Sequence, residues 1–337
     1  MQNALNKNRD LLLQNGIDYP EHEVGPNGIS SGNLNAILTL DKDSKWAVCA
    51  DKVANIVSQF EMSKAHTLLL SSEYFFYLTQ EIAQIIPSAK FIAYIRCPLE
   101  TFESSYNQSV KRHMRTTPIV FGKNLHLTTL NLLSEAIDVI GRKRFILRAY
   151  LSSFEQNFDL IEDFGVAASL PALKSSQRFT NSSYTFEALE FKRWLNQFGL
   201  KELDGLIDQA LQAYDGGLKQ FSMLPEDLFS RYQKQSLHST RDFIQNYKVS
   251  NGKALVTFLK NRESMQHMEQ NLNENQLNKV CQYFIEHYPQ LFDNICDALK
   301  QHSKSDIEHV ERVALILQKQ KAKPSIFQRI FPAFIKK

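Results

Sequence analysis

Hydrophobic positions along the first two hundred residues alternate between two spacings. Short continuous apolar runs are followed by segments in which apolar residues recur every three to four positions. The first pattern suits strands buried on both faces, the second amphipathic helices. Residues 2–14 set Ala4, Leu5, Leu11 and Leu12 among polar neighbours and stop at Asn15-Gly16, which predicts a helix with a C-terminal signal. Residues 21–33, holding Gly25, Pro26, Gly28 and Gly32, read as a loop. Trp46, Val48, Cys49, Val53, Ile56, Val57 and Phe60 give 45–60 a helical face. The run 67–70 predicts a buried parallel strand, 74–86 a helix ended by Pro87, and 91–95 a second buried strand leading into Arg96-Cys97-Pro98.

Pro98 suits the first position of a helix, where its missing N–H is not needed, and that helix should reach 111 or 113. A helix over 128–140 closed by Gly141, a strand over 145–147 and a helix over 154–164 follow. Next come a Ser/Pro/Ala-rich loop from Gly165 to Asn181 and a helix over 186–198. From about 202 to 317 the pattern is helical. The organisation expected is therefore an α/β domain with a parallel sheet over 1–200, a helical region over 201–318 and a basic-apolar tail over 319–337.

Composition narrows the class without naming a function. The 337 residues carry 39 Lys+Arg against 36 Asp+Glu, a net charge of +3, with 43% hydrophobic and 22% charged residues. Those values exclude a disordered chain, a coiled coil, a collagen-like repeat and a disulfide-rich module. A mildly basic balance gives no sign of nucleic acid as a partner. Cys49, Cys97, Cys281 and Cys296 form no CxxC or zinc spacing and read as buried or half-buried thiols in a reducing compartment. No apolar run approaches the ~18 to 20 residues of a membrane span, and the polar start has no signal-peptide core, so a cytoplasmic protein is expected. The tail interleaves Lys319, Lys321, Lys323, Arg329, Lys336 and Lys337 with Ile326, Phe327, Ile330, Phe331 and Phe334. It reads either as a peripheral membrane contact or as a segment packed on the domain or left disordered.

Two segments carry candidate chemistry. In 91–110 a strand delivers Arg96 at its carboxyl end, where ligands of open α/β sheets bind, and a helix N-terminus follows at once. Ser104 lies eight residues after Arg96, so an Arg fork and a hydroxyl stand ready for a phosphate. An ordinary strand–turn–helix with a solvated Arg fits the same residues. In 68–75 a strand ends near Glu73, which Tyr74, Phe75 and Phe76 can desolvate into a general base. The plainer alternative has Ser72 capping the next helix and Glu73 favouring its first turn. Arg178 and Asn181-Ser182-Ser183 either close over a nucleotide or cap a helix. Lys111, Arg112, His113 and Arg115 suit a helix C-terminus better than an acceptor-steering patch.

Together these segments resemble the sulfotransferases that use 3′-phosphoadenosine 5′-phosphosulfate (PAPS), in particular their bacterial and carbohydrate-modifying branch. In that family a strand ends in Arg, often with Pro two positions on, and a Ser follows at eight; Arg96, Pro98 and Ser104 match one by one. Glu73 corresponds to the family's base. QNALNKNRDLLLQNGIDYP and RFTNSSYTFEALEFKRWLN also look similar, and the resemblance covers roughly residues 1–200. It implies a P-loop-NTPase-like parallel sheet flanked by helices, with PAPS as sulfuryl donor. Arg96, Ser104 and Arg178 would bind the cofactor and Glu73 would act as base toward a hydroxyl or amine of a glycan or small-molecule acceptor.

One departure is plain. The family's first strand and its Lys-x-Gly-Thr-Thr phosphate loop are missing, and Met1-Gln2 stands where that loop ends. Either Met1 is an internal methionine of a longer chain, which the intact downstream pattern favours, or the loop and the activity are lost. The expected function is sulfuryl transfer. A catalytically degenerate nucleotide- or glycan-binding homologue and a nucleotide-sugar transferase stand as alternatives.

Overall fold

The computed structural model describes residues 1–25, 30–151, 158–173, 183–301 and 307–322. Two compact units interleave along the chain, one from 1–98, 126–179 and 233–262, the other from 99–125, 180–232 and 263–337. The fold is α/β, with far more helix than strand. The first unit opens with α1 (Gln2–Lys7), α2 (Arg9–Gln14), β1 (Ile17–Asp18), β2 (Leu38–Leu40) and β3 (Trp46–Val48). It continues with α3 (Ala50–Met62), β4 (Thr67–Leu68), α4 (Thr79–Ile85) and β5 (Phe91–Ile95). α5 (Pro98–Arg112) then leads into the second unit, and α6 (Thr128–Ile140), β6 (Phe145–Ala149) and α7 (Leu160–Ala168) return to the first.

The second unit holds α8 (Phe186–Leu195), α9 (Asp204–Ala213) and the start of α10 (Glu226–Tyr247). The rest of α10 and α11 (Gly252–Asn261) belong to the first unit; α12 (Glu274–His287), α13 (Pro289–Gln301) and α14 (Glu311–Ala322) complete the second.

Strands of the first unit form three pairs. β1 is parallel to β4, β5 is parallel to β6, and β2 is antiparallel to β3. Beyond β6, Ser250 donates to the Leu147 carbonyl and accepts from the Ala149 N–H, both at 2.9 Å. β6 is thus partnered on both edges. On one side of the strands Leu5, Leu12 and Phe164 pack with Ile17 and Tyr19, joined by Leu69, Ile92 and Tyr94. On the other, Val53, Ile56 and Ile82 pack with Leu34, Ile37 and Leu38, joined by Leu68, Leu70 and Phe91.

Neighbouring residues of a strand point to opposite faces, and here both parallel pairs feed the same two clusters in alternation. The β1–β4 and β5–β6 pairs therefore lie in one layer between the same two sets of helices. Among the described residues, no strand pairs with the second edge of β4 or of β5. Burial agrees, because Phe145, Leu147 and Ala149 of β6 are buried while Phe91 to Tyr94 of β5 are only half-buried.

Several sequence expectations change. Residues 46–48 are a strand rather than the start of a helix, because Leu38 to Leu40 offer them an antiparallel partner; the helix begins at Ala50. The run 67–70 keeps only two strand residues and is not buried, since it pairs on one edge alone. The helix expected over 74–86 is a 3₁₀ turn, Glu73–Phe76, and then α4. The helix expected over 154–164 starts at Leu160, where the Asp159 side chain accepts from Ile161 N–H at 2.7 Å, and it runs past Gly165 to Ala168. Residues 152–157 lie outside the described residues, as does the tail beyond Ala322. No helix among the described residues is long and apolar enough to cross a membrane.

A polar clamp fixes β5, β6 and α7. Tyr94 Oη donates to Asp163 Oδ2 at 2.7 Å, Arg148 Nε donates to the same oxygen at 2.5 Å, and Arg148 Nη2 pairs with Oδ1. Burial pushes the Asp163 carboxyl up, but the hydrogen bonds from Arg148 and Tyr94 outweigh it and hold it below the ordinary value. Asp163→Ala leaves a largely buried guanidinium unpaired and should cost about 3 kcal/mol in urea unfolding at neutral pH. A lowered folded pKa gives stability that is complete above the unfolded value, near pH 4, and is lost as pH falls through the folded value. The variant's deficit should therefore shrink below about pH 4.

Candidate functional site

The site lies at the carboxyl-terminal ends of the parallel strands of the first unit. Arg96 directly follows β5 and is exposed, its guanidinium carbon 5.0 Å from the centre of the Tyr150 ring, where it is attracted by the electron-rich face. Glu73 follows β4. The Ser72 hydroxyl accepts from Tyr74 N–H at 3.2 Å, so Ser72 caps the 3₁₀ turn and Glu73 sits in its first residue.

Glu73 is exposed rather than enclosed by its aromatic neighbours, because Tyr74 is itself exposed and Phe75 packs inward on the helical layer. Placement thus matches the capping alternative, with the carboxylate open to a ligand from solvent. The Met1 amino group feels both Glu73 and Asp159 while burial lowers its pKa. Glu73, after β4, and Asp159, at the start of α7 after β6, thus both lie within electrostatic reach of the Met1 amino group.

The other expected residues fall elsewhere. Ser104 is half-buried in the second turn of α5, in the part belonging to the second unit. Arg178, Asn181 and Ser182 lie outside the described residues. Thr185 caps α8, its hydroxyl accepting from Ala188 N–H at 3.3 Å.

The basic cluster at the end of α5 serves the second unit's core. Arg112 pairs with Asp208 at 2.7 Å, buried Lys111 lies 4.5 Å from the Tyr184 ring centre, and Arg115 donates to the Thr117 and Pro118 carbonyls. The charges of α8 are likewise internal. Arg193 and Glu190 are wholly buried and pair at 2.9 Å, and Lys192 bonds Asp204 at 2.6 Å.

Sequence reasoning missed a cavity of about 510 Å³ in the first unit, within the stretch read as a loop. Glu21, Glu23, Ser30, Asn33 and Asn35 line it, with Trp46 as an aromatic wall. Its frame is rigidly tied. His22 Nδ1 and Ser30 Oγ are 2.7 Å apart, Gly32 N–H donates to Ser30 Oγ at 2.9 Å, and buried Asn33 accepts from Ser71 N–H at 2.8 Å. Trp46 meets Tyr74 with ring centres 5.8 Å apart. The cavity is thus bound to both flanks of Glu73. The density of Gly, Ser and Asn between 25 and 35 was the available signal, but it does not distinguish a cavity from a plain loop.

Comparison of the chain with family models, with curated proteins and with solved structures finds no match.

Gly32 is the most constrained point of this frame. Its φ is +72°, and a Cβ would stand 1.8 Å from the Ser71 carbonyl oxygen. Backbone is the obstacle, so no side-chain movement relieves it. Gly32→Ala should cost about 2–4 kcal/mol in chemical denaturation; a loss below about 0.5 kcal/mol would show that the 30–33 segment is not seated as described.

Proposed function

We propose that the chain is a PAPS-dependent sulfotransferase-like protein that transfers a sulfuryl group to a hydroxyl or amine of a carbohydrate or related acceptor. One observation carries the reading: Arg96 follows β5 and Glu73 follows β4, strands of parallel pairs that share the same covering clusters and that, among the described residues, each keep one unpaired edge. Ligands of open α/β sheets bind outside the carboxyl ends of the strands, where the order of connection changes. The finer fold in this reading is a P-loop-NTPase-like parallel sheet flanked by helices.

In the reaction the acceptor oxygen or nitrogen attacks the PAPS sulfur in line, the sulfur–oxygen bond to the 5′-phosphate breaks, and Glu73 takes the acceptor proton. Arg96 holds the 3′-phosphate by a charge-assisted fork. Most of the rate would come from positioning and charge stabilisation. The exposure of Glu73 favours, as second reading, a homologue that binds without transferring.

Titration calorimetry with 3′-phosphoadenosine 5′-phosphate tests the reading. The chain should bind this ligand and Arg96→Ala should bind it at least about 10-fold more weakly. Glu73→Gln should keep binding while lowering any transfer rate by about 10²–10⁴. Binding without transfer favours the second reading. No binding of this ligand, with binding of a nucleotide sugar instead, overturns both.

A further inference from the structure

We infer that the cavity walled by Trp46 is the acceptor site and that it takes a sugar ring free of acidic groups, neutral or amine-bearing. The inference rests on the proposed function for the word acceptor, and on the cavity alone for the class of ligand.

Size comes first, since about 510 Å³ lies within the ~300–1,000 Å³ of small-molecule sites. Lining chemistry comes second. Trp46 offers one half-buried aromatic face, and such faces attract polarised C–H groups and ammonium groups. The same lining holds carboxylates, amides and hydroxyls, the groups that pair with the hydroxyls of a pyranose or with an amine. Among the described residues no Lys or Arg lines the cavity, while Glu21 and Glu23 do, so a uronate or sulfated ring would meet like charge. Arg9 pairs with Glu21 at 2.8 Å, which leaves Glu23 as the main source of that selection.

Preorganisation comes third. Asn33 is held by Ser71 N–H and donates weakly toward the Pro20 and Leu69 carbonyls, and Ser30 is held by His22 and Gly32. The frame is therefore set before a ligand arrives. Position comes last. Both Ser71 and Tyr74, which touch this frame, flank Glu73 in the chain.

The chain's fluorescence provides a clean reading, because its other tryptophan, Trp194, is fully buried in the second unit. Trisaccharides of glucosamine, of N-acetylglucosamine and of an alternating glucuronate–N-acetylglucosamine polymer should be titrated separately. The first two should shift Trp46 emission with saturation, and the acidic one should bind at least about 10-fold more weakly. Measured by titration calorimetry, which needs no tryptophan reporter, Trp46→Ala, checked for an unchanged melting temperature, should abolish binding, Trp46→Phe should retain part of it, and Glu23→Gln should narrow the gap between the acidic and amine-bearing sugars.

Equal binding of the acidic sugar, binding that survives Trp46→Ala, or no binding of any sugar overturns the inference. A parallel titration with 3′-phosphoadenosine 5′-phosphate separates the two proposals. Nucleotide binding without sugar binding removes only the sugar site. Sugar binding without nucleotide binding removes the sulfotransferase reading and leaves a carbohydrate-binding cavity.

Discussion

Backbone pairing is the constraint on which the first unit turns. Each residue of a strand directs its N–H and C=O to one edge, and a strand inside a sheet needs partners on both. Ile95 accepts from Tyr150 N–H on the β6 side, so by alternation Ile92 and Tyr94 direct their groups to the other edge. Leu69 N–H donates to Asp18 on the β1 side, so Leu68 and Leu70 likewise face away. Both pairs share the same covering clusters, yet they do not pair with each other. The helices on either side and the Tyr94–Asp163–Arg148 clamp keep the layer in place around that unpaired line. Arg96 and Glu73 stand just beyond β5 and β4, the strands whose second edges are open among the described residues.

The second unit solves a different problem. α8 is buried along its whole length, and its sequence places Glu187, Glu190, Lys192 and Arg193 in that interior. Charges out of water are costly unless they are paired and hydrogen-bonded. Arg193 binds Glu190, Glu308 and the Thr116 carbonyl; Lys192 binds Asn196 and Asp204; Trp194 donates to the Glu308 carbonyl. Burial still pushes the Glu190 carboxyl up against the pull of Arg193. These links fix Glu308, and Thr116 just after α5, to one helix, so α8 acts as the internal post of this unit.

Much of the element order was legible in the residues. Phe91 to Ile95, Pro98 as the first residue of α5 and the 128–140 helix closed by Gly141 follow from continuous apolar runs, a fixed proline φ and a glycine at φ +98°. What was hidden depends on partners distant in the sequence. Trp46 to Val48 fit a helical face equally well, and only Leu38 to Leu40 make them a strand. The charged residues of α8 look solvated in a linear reading, because Asp204 and Glu308 reach them only through the fold. Of the site, Arg96 and Glu73 could be placed at strand ends from the pattern alone. The cavity could not, since Asn33 and Trp46 converge through hydrogen bonds and ring packing with the 71–74 segment.

Residue-resolved amide hydrogen exchange reads the open second edge of β5 directly. Ala93 and Ile95, bonded to β6, should exchange at least about 100-fold more slowly than Ile92 and Tyr94, whose amides face that edge. Equal protection of all four amides would mean that β5 is partnered on both edges, and the account of the sheet and of the site at its end would fall.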